Sequence, residues 1–221
     1  MQTNFKYYSI HDFHNSVEID NVFSNNSFSV LHLNTSSLAA NHEHLMNLLN
    51  TLKHTFSVIG LSEIKYKIDQ DPIINISIPG YRFVSQHSLS NAGGVGFYIH
   101  ENIKFNIRSA LSVTNTEHES LWIEIDCENN KNILCGIYYR HPSTNHELFL
   151  ENFDMTINKV HRENIYCTIM GDFNINFLNF DTNPSTNDFL NIINTCFFCP
   201  QILQPTRITH HSATPIRQYL L

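Results

Sequence analysis

The chain has 221 residues, of which 42% are hydrophobic and 15% are charged, and its formal net charge is −7. That length and apolar content predict one globular domain that buries roughly 70% of the surface of its unfolded chain. The acidic balance excludes a protein that holds nucleic acid through bulk positive charge, but it is compatible with a site that binds a divalent cation first and a phosphate second.

The predicted elements alternate between apolar strands and amphipathic helices. Residues 1–27 are polar with scattered aromatic side chains, and they predict a loosely packed leader ahead of one domain over 28–221. Helical spacing of apolar residues predicts three helices, at 38–52, 146–160 and 187–195. Strands are predicted at 28–33, 57–61, 81–84, 91–99, 104–108, 120–125, 133–139 and 164–169.

The termini and the cysteines indicate where in the cell the protein is expected and which partners it is expected to lack. The chain lacks a basic start followed by an apolar run, and it lacks an apolar stretch of about 18 residues. We therefore expect an intracellular protein, cytoplasmic or nuclear, with no membrane partner. The five cysteines are odd in number and Cys167 lies in an apolar strand, which predicts reduced thiols and no disulfide-linked partner. The sequence gives no indication of the oligomeric state.

Polar residues follow the apolar strands at three places. Asn34, Glu63 and Asp172 each come where a predicted strand ends. When helices connect the strands of a sheet, such ends gather on one rim, where ligands bind. Taken singly, Asn34 also fits a turn residue and Glu63 fits an exposed acid beside Lys65. The repetition favours a common site.

The stretch Met-Gly171-Asp172-Phe-Asn174 is typical of a phosphate-ester hydrolase site. Gly171 lets the backbone turn or lets a ligand approach closely. Asp172 can orient or deprotonate a water, and Asn174 can donate to a phosphate oxygen without adding negative charge. The alternative is a turn in which both side chains cap their own backbone. Tyr139 also ends a strand, and its alternative is an aromatic side chain at the rim with a solvated hydroxyl.

Eight short motifs in a fixed order carry a resemblance to a known family. They are Leu-His-Leu-Asn34, Leu-Ser-Glu63, Gly-Tyr81, Gly-Gly-Val-Gly96, Glu119-Ser-Leu-Trp, Tyr-Tyr139-Arg-His-Pro, Gly-Asp172-Phe-Asn174 and Gln-Pro-Thr-Arg207. From about residue 28 to 214, the chain resembles the endonuclease domain of non-LTR retrotransposons, the part of the element that accompanies a reverse transcriptase. That domain belongs to the apurinic-endonuclease-like branch of the endonuclease/exonuclease/phosphatase superfamily.

The resemblance implies a fold, an activity and a set of roles. The fold would be a four-layer α/β sandwich of two mainly antiparallel sheets flanked by helices. The activity would be Mg²⁺-dependent phosphodiester hydrolysis, with Mn²⁺ as an alternative metal, that nicks target DNA. Glu63 would hold the metal with Asn34 beside it, and Asp172 would activate the attacking water. Asn174, Tyr139 and Asn34 would contact the phosphate of a weakly bound DNA partner.

The C-terminal part departs from the family pattern. Arg217 stands where the resemblance expects an aspartate, Pro215 is expected to interrupt strand pairing, and an expected Asp-His pair does not follow. His210 and His211 are poor substitutes because they precede the strand. We therefore expect a truncated domain that lacks its C-terminal strands, keeps an open sheet edge and has impaired or no activity.

Two other functions remain open at this point. The first is a non-catalytic retrotransposon remnant that binds metal or nucleic acid weakly. The second is a phosphatase of the same superfamily acting on a phospholipid or an inositol phosphate. The Tyr-Arg-His-Pro and Pro-Thr-Arg motifs disfavour this phosphatase.

Overall fold

A computed structural model describes residues 8–15, 28–65, 75–90, 92–128, 130–202, 204–208, 213–215 and 217–221. The described helices are α1 (Ile10–Asn15), α2 (Leu38–Leu52), α3 (His146–Glu163) and α4 (Pro184–Thr195). The strands are β1 (Val30–Asn34), β2 (Val58–Ser62), β3 (Tyr81–Gln86), β4 (Val95–His100), β5 (Phe105–Ile107), β6 (Val113–Thr114), β7 (His118–Ile125), β8 (Ile133–Arg140), β9 (Tyr166–Asp172), β10 (Arg207–Ile208), β11 (Ala213–Thr214) and β12 (Arg217–Leu220).

The strands form two main sheets. A four-stranded sheet has the order β1-β2-β4-β3, and a six-stranded sheet has the order β12-β9-β8-β7-β5, with β6 also paired to β7. Within these sheets only β1 with β2 and β8 with β9 pair in parallel. The prediction of two mainly antiparallel sheets is confirmed.

Three apolar clusters hold the layers together. Between the sheets, Phe97 and Ile99 of one sheet pack with Ile137 and Met170 of the other. The outer face of the four-stranded sheet is covered by α2, and the outer face of the six-stranded sheet is covered by α3 and α4. Each fully buried large apolar side chain stabilises this helix–sheet–sheet–helix arrangement by about 1.5–3 kcal/mol. The predicted four-layer sandwich is confirmed.

Capping residues fix the ends of the covering helices. Ser37 accepts a hydrogen bond from the Ala40 amide at the start of α2, and Asn145 caps α3 in the same way. Both helices end at a residue in the left-handed region, Lys53 and Asn164. None of the described helices is both long and apolar enough to cross a membrane. All five cysteines are free thiols.

The C-terminal residues form a strand, contrary to the expectation. Strand β12 pairs antiparallel with β9, and Arg217 lies opposite Asp172. Pro215 does not prevent this pairing because it precedes the strand, where its missing N–H is not needed. Strand β12, not β9, therefore forms this edge of the sheet. On the far side of β12, Cys199 and Leu221 exchange two backbone hydrogen bonds. His210 and His211 lie outside the described residues.

Candidate active site

Four polar residues form a row across the rim of the six-stranded sheet. Glu119 pairs with Tyr139, Tyr139 pairs with Asp172, and Asp172 pairs with Arg217, on the adjacent strands β7, β8, β9 and β12. Residues directly opposite each other in paired strands project from the same face of the sheet. The register therefore places these four side chains on the face that looks toward the other sheet.

The four-stranded sheet completes the site with Asn34 and Glu63. The side-chain amide of Asn34 donates to Glu63 Oε1 and to Asp172 Oδ2, each at 2.7 Å. Its oxygen accepts from the Ser36 amide at 3.0 Å, which orients the side chain so that the nitrogen faces both carboxylates. Residues 138 positions apart thus meet at one point. The structure brings together three of the residues that the sequence predicted.

Burial and hydrogen bonds have opposite effects on the pKa of the Asp172 carboxyl group. Burial raises its pKa from the ordinary value near 3.8, and this effect is opposed by the Asn34 hydrogen bond, the charge of Arg217 and the backbone N–H of Asn174. That N–H donates to Asp172 Oδ1 at 3.2 Å. A base with a raised pKa is a better proton acceptor near neutral pH.

The hydroxyl of Tyr139 stays protonated. Burial raises its pKa, and the negative charges of Glu63, Asp172 and Glu119 raise it further. No hydrogen bond joins this hydroxyl to another residue in the described part of the chain. A protonated phenol beside Asp172 is a donor for an incoming oxyanion.

Asn174 is fixed in place by hydrogen bonds with Arg140. Its backbone has a φ of 49°, in the left-handed region, and its side-chain amide donates to the Arg140 carbonyl at 2.7 Å. In return, the buried Arg140 guanidinium donates to the carbonyl oxygens of Phe173 and Asn174, at 3.4 and 3.2 Å. Arg140 was not predicted from the sequence, although the Tyr-Arg-His-Pro motif contains it.

A glycine is needed at position 171 for a different reason from the one predicted. It lies inside β9, not in a turn, and a Cβ atom there would collide with the backbone carbonyl of Tyr138 in the neighbouring strand. The glycine therefore permits close packing of the two strands that carry Tyr139 and Asp172.

Glu119 forms a buried polar cluster that the sequence analysis did not identify as part of the site. Its carboxylate accepts from Ser88 Oγ at 2.5 Å and from the Gly94 amide at 3.4 Å, and it lies 2.8 Å from His141 Nε2. The ring of His141 packs edge-on against Tyr139, with 5.0 Å between the ring centroids. Only the Glu-Ser-Leu-Trp motif signalled this residue.

Basic side chains accompany both carboxylates that Asn34 joins. Lys65 Nζ lies 3.6 Å from Glu63 Oε2, and Arg217 Nε lies 3.5 Å from Asp172 Oδ2. Across the residues that the structure describes, no group of three or more acidic, histidine or cysteine side chains is suited to a metal ion. Two carboxylates still offer the hard oxygen donors that Mg²⁺ takes, together with water and substrate oxygens. The donor set fits a weak magnesium site.

Comparisons with known proteins identify the fold. No family model and no curated protein matches the chain. The endonuclease domain of TRAS1, a telomere-specific non-LTR retrotransposon, is 14% identical with a TM-score of 0.63, over 87% of this chain and 83% of that one. The AP endonuclease LMAP from Leishmania major is 12% identical with a TM-score of 0.65, over 91% and 81%. The catalytic domain of Xenopus laevis APE2 is 16% identical with a TM-score of 0.62, over 87% and 82%. The chain has the apurinic-endonuclease-like fold of the endonuclease/exonuclease/phosphatase superfamily.

Proposed function

We propose that the chain is a phosphodiesterase that cleaves DNA as an endonuclease. The observation that carries this proposal is the Asn34 side chain, which joins Glu63 and Asp172 at 2.7 Å across the two sheets. A base, an amide donor and a second carboxylate at one point suit attack of water on a phosphorus atom. The fold is consistent with this chemistry.

Each residue has a distinct role in the proposal. Asp172 orients the attacking water and accepts its proton at the carboxylate, which Asn34 and the Asn174 amide hold in place. Tyr139 donates its hydroxyl hydrogen to a non-bridging phosphate oxygen. Asn174 contacts the phosphate with the remaining N–H of its side-chain amide, because the other is occupied by the Arg140 carbonyl.

The proposed reaction uses Mg²⁺, or Mn²⁺ in its place, as its cofactor. Glu63 would hold the ion, with Asn34 beside it, and the Glu63 carboxylate is an oxygen donor of the kind that Mg²⁺ prefers. When bound there, the ion would polarise the phosphoryl oxygen and offset charge on the leaving oxyanion.

Turnover is expected to be low. Arg217 faces Asp172, at the position where the family resemblance places an aspartate. Removing one preorganised group that acts in the transition state typically lowers a rate by about 10²–10³.

The test is nicking of supercoiled plasmid with a large excess of protein in Mg²⁺. We expect slow nicking by the wild type, and a drop of about 10³-fold in Asp172→Asn and Glu63→Gln. The matched control is Asp126→Asn, an exposed aspartate just beyond the opposite end of β7, roughly 20 Å from the row. Nicking that survives in both site variants, or that falls equally in the control, refutes the proposal. If the wild type does not nick but binds DNA, the site is a non-catalytic binding site.

A further inference from the structure

The Arg217 side chain of the row combines a fixed backbone with an unoccupied guanidinium group. Its backbone is fixed at the start of β12, since its N–H donates to Thr206 Oγ1 at 3.1 Å and its Cα lies opposite that of Asp172. Its Nε atom is buried without a hydrogen-bond partner, while 35% of the side chain is exposed. The exposed fraction therefore belongs to other atoms of the side chain. No residue that the structure describes accepts a hydrogen bond from the guanidinium.

Two of the carboxylates at the site each lie near a cation of the chain. Glu63 has Lys65 at 3.6 Å and Asp172 has Arg217 at 3.5 Å, so two carboxylates face two cations. An excess of negative charge attracts a divalent cation and repels a phosphate, and these two pairs reduce that excess. The third carboxylate of the row, Glu119, lies 2.8 Å from His141 Nε2.

The geometry of the guanidinium suits a phosphate. An arginine presents five N–H donors in a planar fork that matches two oxygens of a phosphate. At 3.5 Å, the contact of Nε with Asp172 is longer than a hydrogen bond, so it does not use up this capacity. The Tyr139 hydroxyl, a protonated donor, lies in the same row, on the far side of Asp172.

We propose that Arg217 is a phosphate-binding residue, and that the site takes a phosphate group as an anion in the absence of a divalent cation. The guanidinium supplies a positive charge where the resemblance expects a carboxylate. The inference takes the substrate class, a phosphate ester, from the proposed function. It has a reciprocal consequence: Arg217 opposes a cation near Asp172, so the free protein binds Mg²⁺ weakly.

The test is calorimetric titration of the full chain with inorganic phosphate in EDTA at fixed ionic strength. We expect phosphate binding by the wild type and at least tenfold weaker binding by Arg217→Gln. Arg162→Gln is the matched control, because Arg162 is an exposed arginine near the end of α3. Equal phosphate affinity in the wild type and Arg217→Gln overturns the inference, and so does an equal loss in Arg162→Gln.

Two further variants keep the test decisive. If Arg217→Gln does not fold, Arg217→Lys takes its place in the test. Lysine keeps the positive charge but lacks the planar fork of arginine. We therefore expect Arg217→Lys to bind phosphate more weakly than the wild type. Equal binding overturns the inference. Titration with Mg²⁺ alone is expected to show at least tenfold tighter binding by Arg217→Asp than by the wild type. No gain contradicts the inferred opposition between Arg217 and the metal.

The outcomes separate this inference from the proposed endonuclease activity. Plasmid nicking by a protein that binds no phosphate in EDTA overturns the role of Arg217 and leaves the endonuclease proposal in place. Phosphate binding that requires Arg217, in a protein that never nicks DNA, supports the role of Arg217 and removes the endonuclease proposal.

Discussion

Replacing Asn34 with aspartate tests the contacts that join Asn34 to Glu63 and Asp172. In the wild type the Asn34 amide donates to Glu63 and to Asp172 at 2.7 Å each. The substitution keeps the size of the side chain but removes both donors. It also places a third carboxylate between two existing ones. We expect a loss of folding stability that depends on pH and on divalent cations.

The size of the expected stability loss follows from the two hydrogen bonds that the Asn34 side chain donates. A hydrogen bond to a charged group contributes about 1.5–3 kcal/mol, so losing two costs about 3–6 kcal/mol at most. Two like charges about 4 Å apart repel by roughly 4 kcal/mol at an effective dielectric constant near 20. Uptake of a proton by one carboxyl group limits this repulsion. We therefore expect Asn34→Asp to be about 3–5 kcal/mol less stable than the wild type at pH 8 in EDTA.

The pH dependence has a definite sign. Repulsion raises the carboxyl pKa values in the folded variant above their unfolded values, so the folded state binds more protons than the unfolded state between those values. Stability then falls as pH rises from about 4 through the raised folded pKa. Asp172 contributes in the same direction in the wild type, because its pKa is already raised by burial.

Urea unfolding at pH 5 and pH 8, with EDTA or with Mg²⁺, measures this effect. Asn34→Ala separates the loss of the hydrogen bonds from the repulsion, and Asn187→Asp on the exposed face of α4 is the surface control, expected within about 0.5 kcal/mol of the wild type. Mg²⁺ should restore part of the stability of Asn34→Asp. If Asn34→Asp is as stable as Asn34→Ala at pH 8 in EDTA, the two carboxylates do not both face residue 34.

Two other predictions concern β8 and β9. In Gly171→Ala the new Cβ meets the carbonyl of Tyr138, so we expect a loss of about 1–3 kcal/mol in urea unfolding together with slower plasmid nicking; unchanged stability contradicts the close packing of these strands. In Tyr139→Phe the loss of the phenolic donor should slow nicking by about 10²-fold with stability unchanged within about 0.5 kcal/mol. Because the Tyr139 pKa is raised, the wild-type rate should not fall between pH 8 and 10 through its ionisation, and a fall that Tyr139→Phe removes would contradict this role.

Much of the fold could be predicted because local patterns and tertiary packing agree. The alternation of apolar residues along the strands and the spacing along α2 and α3 reflect the faces that the structure buries. The C-terminal strand was predicted wrongly, because Pro215 was taken as part of the paired segment. The residue at which β12 begins depends on its pairing with β9. That pairing joins residues about 45 positions apart in the chain.

The site could be predicted in its residues but not in its contacts. Asn34, Glu63 and Asp172 were recognisable at the ends of apolar strands, and in the structure the Asn34 side chain donates to both carboxylates. The hydrogen bonds between Arg140 and Asn174 and the polar cluster around Glu119 could not be predicted. Both depend on buried side chains that meet across strands, and such contacts leave no local pattern in the sequence.

The most direct test of the central claim is single-turnover nicking by the double variant Glu63→Gln/Asp172→Asn. Groups that act together at one phosphate lose activity non-additively. We predict that the double variant is slowed about as much as either single variant, by about 10³-fold. A double variant slowed by the product of the two single effects, about 10⁶-fold, would show that Glu63 and Asp172 act independently and contradict a shared site.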